Sequence, residues 1–243
     1  MKLLALDTAS ELCSAALWLE GELHARETLA PRVHAALILP MIDELLAESG
    51  LGLPALDAIA FGRGPGAFTG VRLAAAIAQG LGFAAQRPLI PISDLRATAA
   101  QALLQVDAQG VLVCQDARME EVYWGCFERR ASSRPAADAP PVVGSVGAEA
   151  VAPAGAVDLP IEWRSGIKVV GAGSGFAQYP ELSRRLQDRL ALALPQLQPR
   201  AREIAWLAAE DGLAAAIAAE TALPVYLRDR VTATPGASKS NSS

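Results

Sequence analysis

The 243-residue chain has few of the side chains that usually announce chemistry. Its only two histidines, His24 and His34, stand ten residues apart without an H-E-x-x-H or similar spacing, which argues against a zinc or iron centre built on histidine. The three cysteines, Cys13, Cys114 and Cys126, form an odd set without C-x-x-C spacing. Each lies in an apolar, strand-like run, so buried free thiols and a reducing, cytoplasmic setting are expected. No G-x-S-x-G elbow is present to carry a nucleophilic serine. No apolar run reaches the roughly 20 residues that span a bilayer. The longest, Leu73 to Ala85, is broken by Gln79, and the N-terminal apolar run meets Asp7 before a signal-type core can form, so no membrane association is expected. Basic charge is also short: 21 Lys and Arg stand against 26 Asp and Glu, a formal net charge of −5. Nucleic-acid affinity rests on phosphate neutralisation, so this chain is not expected to hold RNA by itself. Arginine groups at 129, 130 and 134 and at 184, 185 and 189 read as solvated faces.

What the chain does have is apolar surface. Hydrophobic residues make up 52% and charged ones 19%, enough to bury a large core in one domain or two lobes. Leu3 to Leu6, Ser14 to Leu19 and Leu23 to Leu29 read as three successive strands. His34 to Ser49 then changes to a period near four, with Pro40 inside it as a kink and Gly50 as a stop, and reads as a helix. Ala58 to Phe61 is a buried strand, Thr69 to about Phe83 a helix with Thr69 near its cap, and Leu89 to Ile92 a strand. Ser93 to Leu104 is a further helix with Ser93 as N-cap. Val111 to Asp116 then repeats the layout of Leu3 to Asp7, an apolar strand ending in aspartate, followed by a second strand from Glu121 to Phe127. The repeat predicts two copies of one β-rich α/β unit. Lobes at 1–104 and 105–199 are expected, with 200–231 packing back across them. Residues 131–160, rich in Ala, Pro, Gly and Ser, are expected to be loops with one short helix. Ile167 to Val170 is expected to be a strand, Ala201 to Ala219 the last long helix, and 232–243 a disordered tail.

The segment Gly64-Pro65-Gly66-Ala67-Phe68-Thr69-Gly70-Val71-Arg72 is the most informative. A strand, a glycine turn and a helix N-terminus could hold an anion, although no Walker lysine follows; the alternative is a tight turn needing close packing. Gly171-Ala172-Gly173-Ser174-Gly175-Phe176 fails the dinucleotide pattern because Phe176 occupies the third glycine position. Asp7 and Asp116 could be paired metal carboxylates, yet no clear set of further acids accompanies them, and capping of a turn is the plainer role.

Leu4-Ala5-Leu6-Asp7-Thr8-Ala9, the 62–72 glycine segment, Asp116-Ala117-Arg118-Met119-Glu120-Glu121-Val122-Tyr123-Trp124 and Pro224-Val225-Tyr226-Leu227-Arg228 together resemble the TsaB (YeaZ) family in order and spacing. The resemblance covers residues 1 to about 231. It implies an α/β, actin-like ATPase (ASKHA) fold of two ribonuclease-H-like lobes. It also implies an accessory, non-catalytic role beside a TsaD-type catalytic subunit and a TsaE-type ATPase. The reaction they serve is transfer of threonylcarbamoyl from its adenylate to the adenosine next to the tRNA anticodon, with tRNA met only through the complex. Asp7, Asp116, Arg118, Glu121, Tyr123, Tyr226 and Arg228 carry the family pattern. Where the TsaD-type relative has a metal-binding H-x-x-x-H, this chain has Asp94 and Thr98, so neither a metal nor another cofactor is expected. The apolar helices suggest a partner surface of His34, Leu37, Met41, Leu45, Thr69, Arg72, Ala74, Ala75 and Ala78, which a second copy could occupy when the chain is alone. The competing readings are an ATP-dependent phosphotransferase of the same fold and a glycoprotease-like metallopeptidase.

Overall fold

A computed structural model describes residues 1–130, 140–163 and 166–228. Strands β1 (Lys2–Asp7), β2 (Leu12–Leu19) and β3 (Glu22–Leu29) form an antiparallel meander. Strands β4 (Ala58–Gly62) and β5 (Leu89–Ile92) add parallel pairings on the other side of β1, giving the order β3-β2-β1-β4-β5. The second sheet holds β6 (Gly110–Asp116), β7 (Glu121–Arg130), β8 (Val142–Pro153), β9 (Val169–Ala172) and β10 (Ala193–Leu194) in the order β10-β9-β6-β7-β8. That is the same topology a second time, with Asp7 and Asp116 each ending the first strand. The repeat in the sequence is therefore a repeat of the fold.

Helices cover the sheets. On one face of the first sheet lie α1 (His34–Ser49) and α2 (Phe68–Ala85), which bury Ile38, Ile42 and Leu45, and Ala74, Ala75 and Ala78, against Leu4, Leu6, Ile59 and Phe61. Pro40 sits inside α1 without ending it, and Gly50 closes it in the left-handed conformation. By length and composition α2 could cross a membrane, but its inward side is part of this core. The far face of the second sheet carries α4 (Gly175–Gln178) and α5 (Pro180–Leu186) with Trp163 and Leu159.

Between the sheets the two remaining helices are exchanged. α3 (Asp94–Gln105) follows the first sheet but packs on β6, β7 and β8 of the second, whereas α6 (Ala201–Asp211) follows the second sheet and packs on β1, β2 and β4 of the first. The two helices also touch each other, so one apolar cluster runs from Leu3 and Ala60 through Leu95, Ala99 and Ile204 to Val111 and Phe127. Ser93 caps α3 as expected, its hydroxyl accepting from Arg96 N at 3.2 Å. From the next turn Arg96 braces the layer, donating to both Asp211 oxygens at 2.6 and 2.9 Å and to Val143 O at 2.9 Å.

The structure corrects four local expectations. Residues 142–153 form the twelve-residue strand β8 rather than loop, because pairing with β7 along its length satisfies a backbone of low intrinsic strand preference. The strand after it runs Val169–Ala172, two residues later than expected. The last long helix stops at Asp211, since Gly212 takes φ +68°, and short 3₁₀ turns follow despite the alanines. Helix α2 begins at Phe68, one residue earlier than expected, with Ala67 as its cap and Thr69 close by. The expected tail at 232–243, Arg134 and the first part of the expected 131–160 loop lie outside the described residues.

The brace yields a test of the central layer. Arg96→Ala leaves a partly buried carboxylate and a carbonyl without their donor and is expected to lower stability by about 2–3 kcal/mol in urea unfolding. Asp211→Asn, which keeps a hydrogen-bonding amide there, should cost less.

Candidate functional site

The glycine segment sits where the first lobe meets its own turns. β4 ends at Gly62, the chain loops through Gly64, Pro65 and Gly66, and α2 begins at Phe68. Each glycine answers to a neighbour. A Cβ on Gly66 would lie 2.6 Å from Ala9 O, and one on Gly70 would collide with Thr8 O. Ala67 N donates to Ala9 O at 2.7 Å, and the Thr8 hydroxyl donates to Gly70 O at 2.7 Å. Gly64, at φ +97°, lies against the C-terminal segment: Val225 N donates to Arg63 O at 2.7 Å, and Val225 O is 3.0 Å from where a Gly64 Cβ would stand. Of the two readings the sequence left open, these contacts support close packing, with the β1–β2 turn on one side and a strap of residues 222–228 on the other.

That strap crosses between lobes. At its start Gln79 donates to Ala222 O at 2.9 Å, and in its middle the Tyr226 hydroxyl accepts from Arg72 Nε at 2.7 Å. The Arg72 guanidinium lies 3.4 Å from the Phe68 ring centroid and 5.4 Å from that of Tyr226, a cation between two rings that are 49% and 48% exposed. At its end Arg228 donates to Ala117 O at 3.1 Å and pairs with Glu121 in the second lobe. Tyr226 and Arg228, singled out from the sequence, thus serve opposite lobes.

Asp116 is tied down by its own turn and by Tyr179. Its Oδ1 accepts from Arg118 N and from the Tyr179 hydroxyl, both at 2.8 Å, and its Oδ2 pairs with Arg118 at 3.1 Å. Burial, and then the hydrogen bond to Asp116, pushes the Tyr179 phenol up to about 12. Arg118, Met119 and Glu120 all take positive φ in the turn that Arg228 supports. Tyr123 packs part-buried against the central core. Asp7 is different: it is wholly buried, and burial raises its carboxyl to about 7. Beside it are Asp94, also wholly buried, and Thr98, whose hydroxyl donates to Asp94 O at 2.8 Å. Among the described residues no group of three or more His, Cys, Asp or Glu side chains is placed to hold a metal ion.

The partner face read from the sequence needs correction. Leu45, Ala74, Ala75 and Ala78 are buried in the chain's own core and cannot meet another molecule. His34, Leu37 and Met41 are only partly covered, and Thr69 and Arg72 are exposed. The side of α2 that does face outward carries Phe68, Thr69, Arg72, Ala76, Gly80 and Phe83, the last 60% exposed. Their spacing of three and four was legible as a helical stripe; what the sequence withheld was which of two apolar stripes faced the sheet.

Two ribonuclease-H-like sheets in tandem, joined by exchanged helices, define a protein of the actin-like class, here with its glycine loop packed against its own chain. Comparisons narrow the class. A family model described as TsaD, tRNA N6-adenosine threonylcarbamoyltransferase, matches residues 26–235. The tRNA threonylcarbamoyladenosine biosynthesis protein TsaB of Escherichia coli is 39% identical over 240 residues, 95% of this chain and 96% of that one. The TsaB protein of Haemophilus influenzae is 57% identical over 124 residues, a match spanning 51% of this chain and 52% of that one, about half of each. The solved structure of YeaZ from Pseudomonas aeruginosa superposes with a TM-score of 0.80 at 40% identity, covering 93% of this chain and 99% of that one. The chain belongs to the TsaB (YeaZ) family.

Gly70→Ala tests the packing role of the loop. Its Cβ would enter the Thr8 carbonyl, which belongs to backbone and cannot turn aside, so a loss of about 1–3 kcal/mol or more is expected in thermal or chemical unfolding.

Proposed function

We propose that this chain is a non-catalytic accessory subunit in tRNA threonylcarbamoyladenosine biosynthesis. It pairs with a TsaD-type catalytic subunit, works alongside a TsaE-type ATPase and meets tRNA through that complex, in the cytoplasm. The observation that carries the reading is Gly80. It lies in the interior of α2 with nothing within 4 Å of where its Cβ would stand. A glycine there costs about 1 kcal/mol of helix stability relative to alanine, and nothing among the described residues requires it. A partner helix laid along Ala76 and Gly80 would require it, because only small residues let two backbones approach closely. Phe68 and Phe83 flank that shallow stretch as apolar anchors, and Leu37 and Met41 of α1, partly covered against the same apolar cluster, add bulk on the same side of the sheet. A second copy of the chain can use the same flank in the partner's absence.

The accessory role also agrees with the chemistry of the loop. Its glycines are taken up by Thr8, Ala9 and Val225, and Asp94 and Thr98 are turned into the fold, which supports the accessory reading over the phosphotransferase and metallopeptidase ones.

Gly80→Ala separates partner fit from folding. The variant should be more stable than the parent alone, by up to about 1 kcal/mol, yet bind the TsaD-type partner more weakly in titration calorimetry. Gly80→Glu should stay folded by circular dichroism and fail to co-purify with the partner. Unchanged partner binding by both variants would remove α2 from the interface. Depletion of the protein, followed by mass spectrometry of tRNA, should show loss of the threonylcarbamoyl group.

A further inference from the structure

Beneath the glycine loop two carboxyl groups have more oxygens than donors. Asp7 ends β1, Asp94 opens α3, and both are wholly buried. Asp7 Oδ1 accepts from Ala9 N at 3.1 Å, and Asp94 Oδ2 accepts from Gly64 N at 2.6 Å. Among the described residues Asp7 Oδ2 and Asp94 Oδ1 have no donor. The Oδ1 atoms of both residues converge over Gly62, where a Cβ would collide with each, and the two carboxyls are within hydrogen-bonding reach of one another.

The surroundings do not balance two negative charges. Arg63 is the cation that faces Asp94, and it is already engaged by Glu149 at 3.3 Å from β8. From β2 the Cys13 thiol faces Asp7 and is itself pushed up to about 11 by burial and by that carboxylate. The hydroxyls of Thr8 and Thr98 are turned to Gly70 O and Asp94 O. Two ionised carboxylates without solvent would carry both the desolvation cost and their mutual repulsion, whereas one proton between them removes one charge and gives Asp94 Oδ1 a partner.

We propose that Asp7 and Asp94 share one proton and that this acid pair is the positioning device of the glycine loop. Through Ala9 N and Gly64 N it ties the β1–β2 turn, the loop and the start of α3 into one unit. Asp94 holds the proton and donates, and Asp7 accepts. Burial drives both carboxyls upward, Asp7 to about 7 and Asp94 well above its ordinary value, with the Asp7 charge adding to the rise at Asp94. Groups raised in the folded state stabilise it most at acid pH and lose that contribution as pH climbs from their ordinary range through their folded values, so Asp7 has given up its share by about pH 7 and the latch itself weakens as the pH climbs on toward the higher value of Asp94. Because α2 begins two residues beyond Gly66, the placement of its outer flank depends on the same proton. Only that last consequence rests on the partner reading above.

Infrared difference spectroscopy and amide exchange on the isolated chain test the pair without any partner. At neutral pH the native chain should show the carbonyl stretch of one protonated buried carboxyl. Asp94→Asn should lose that band while its amide still donates to Asp7, keep the Ala9 and loop amides protected, and show a flatter dependence of stability on alkaline pH. Asp94→Ala should lose protection at Gly64 by roughly tenfold, the worth of one buried hydrogen bond. If that variant fails to fold, the native and Asp94→Asn spectra still decide. Absence of the protonated band from the native chain overturns the proposal. So does a band abolished by added magnesium or calcium, which would mark a cation site instead, or a loop as unprotected in Asp94→Asn as in Asp94→Ala.

Discussion

The exchange of α3 and α6 between the sheets is the constraint on which the rest of the molecule depends. Each sheet has one face covered by helices of its own lobe and one face covered by a helix that belongs, by chain order, to the other. Neither lobe can bury its inner face alone, so the two repeats share one core. Arg96, bound to Asp211 on α6 and to Val143 O on β8, and the Ser14 hydroxyl, which accepts from Ala201 N at 2.9 Å, hold the exchanged helices in register. The start of α3 is thereby fixed, and with it Asp94 and the loop amide that Asp94 anchors.

From that fixed point the glycine segment acquires its meaning. Glycine permits close approach of a ligand or of the protein's own backbone, and sequence cannot distinguish the two. Here Gly66 and Gly70 admit the backbone of Ala9 and Thr8, and Gly64 admits the strap at Val225. The strap runs on to Arg228 and the second lobe, so the chain itself crosses from one lobe to the other beside the loop. A small open pocket of about 310 Å³ remains beside Arg63, Glu149 and Leu227, spanned by the Arg63–Glu149 ion pair.

The outer flank of α2 follows from the same logic. A helix with two apolar stripes must give one to its sheet, and the stripe of Ala74, Ala75 and Ala78 fits the tight spacing over β4 and β1. What remains outside is Ala76 and Gly80 between Phe68 and Phe83, with none of the described residues against the open side of Gly80. The stacked Phe68, Arg72 and Tyr226 close its N-terminal end and join it to the strap.

The sequence by itself determined what depends on neighbouring residues: the alternating and four-residue apolar periods, the Ser93 cap, the Gly50 stop and the repeated strand ending in aspartate. These are local choices of backbone and short-range hydrogen bonding, so they survive without knowledge of the fold. Tertiary structure alone decided the rest. β8 is a strand because β7 lies beside it, although its alanines and glycines favour none. α6 ends where Gly212 turns, although alanine continues beyond it. The inward stripe of α2 was chosen by the sheet, and the acid pair joins residues far apart in sequence that meet only when α3 starts against the end of β1. Burial then gives those two carboxyls a chemistry that neither has in the unfolded chain.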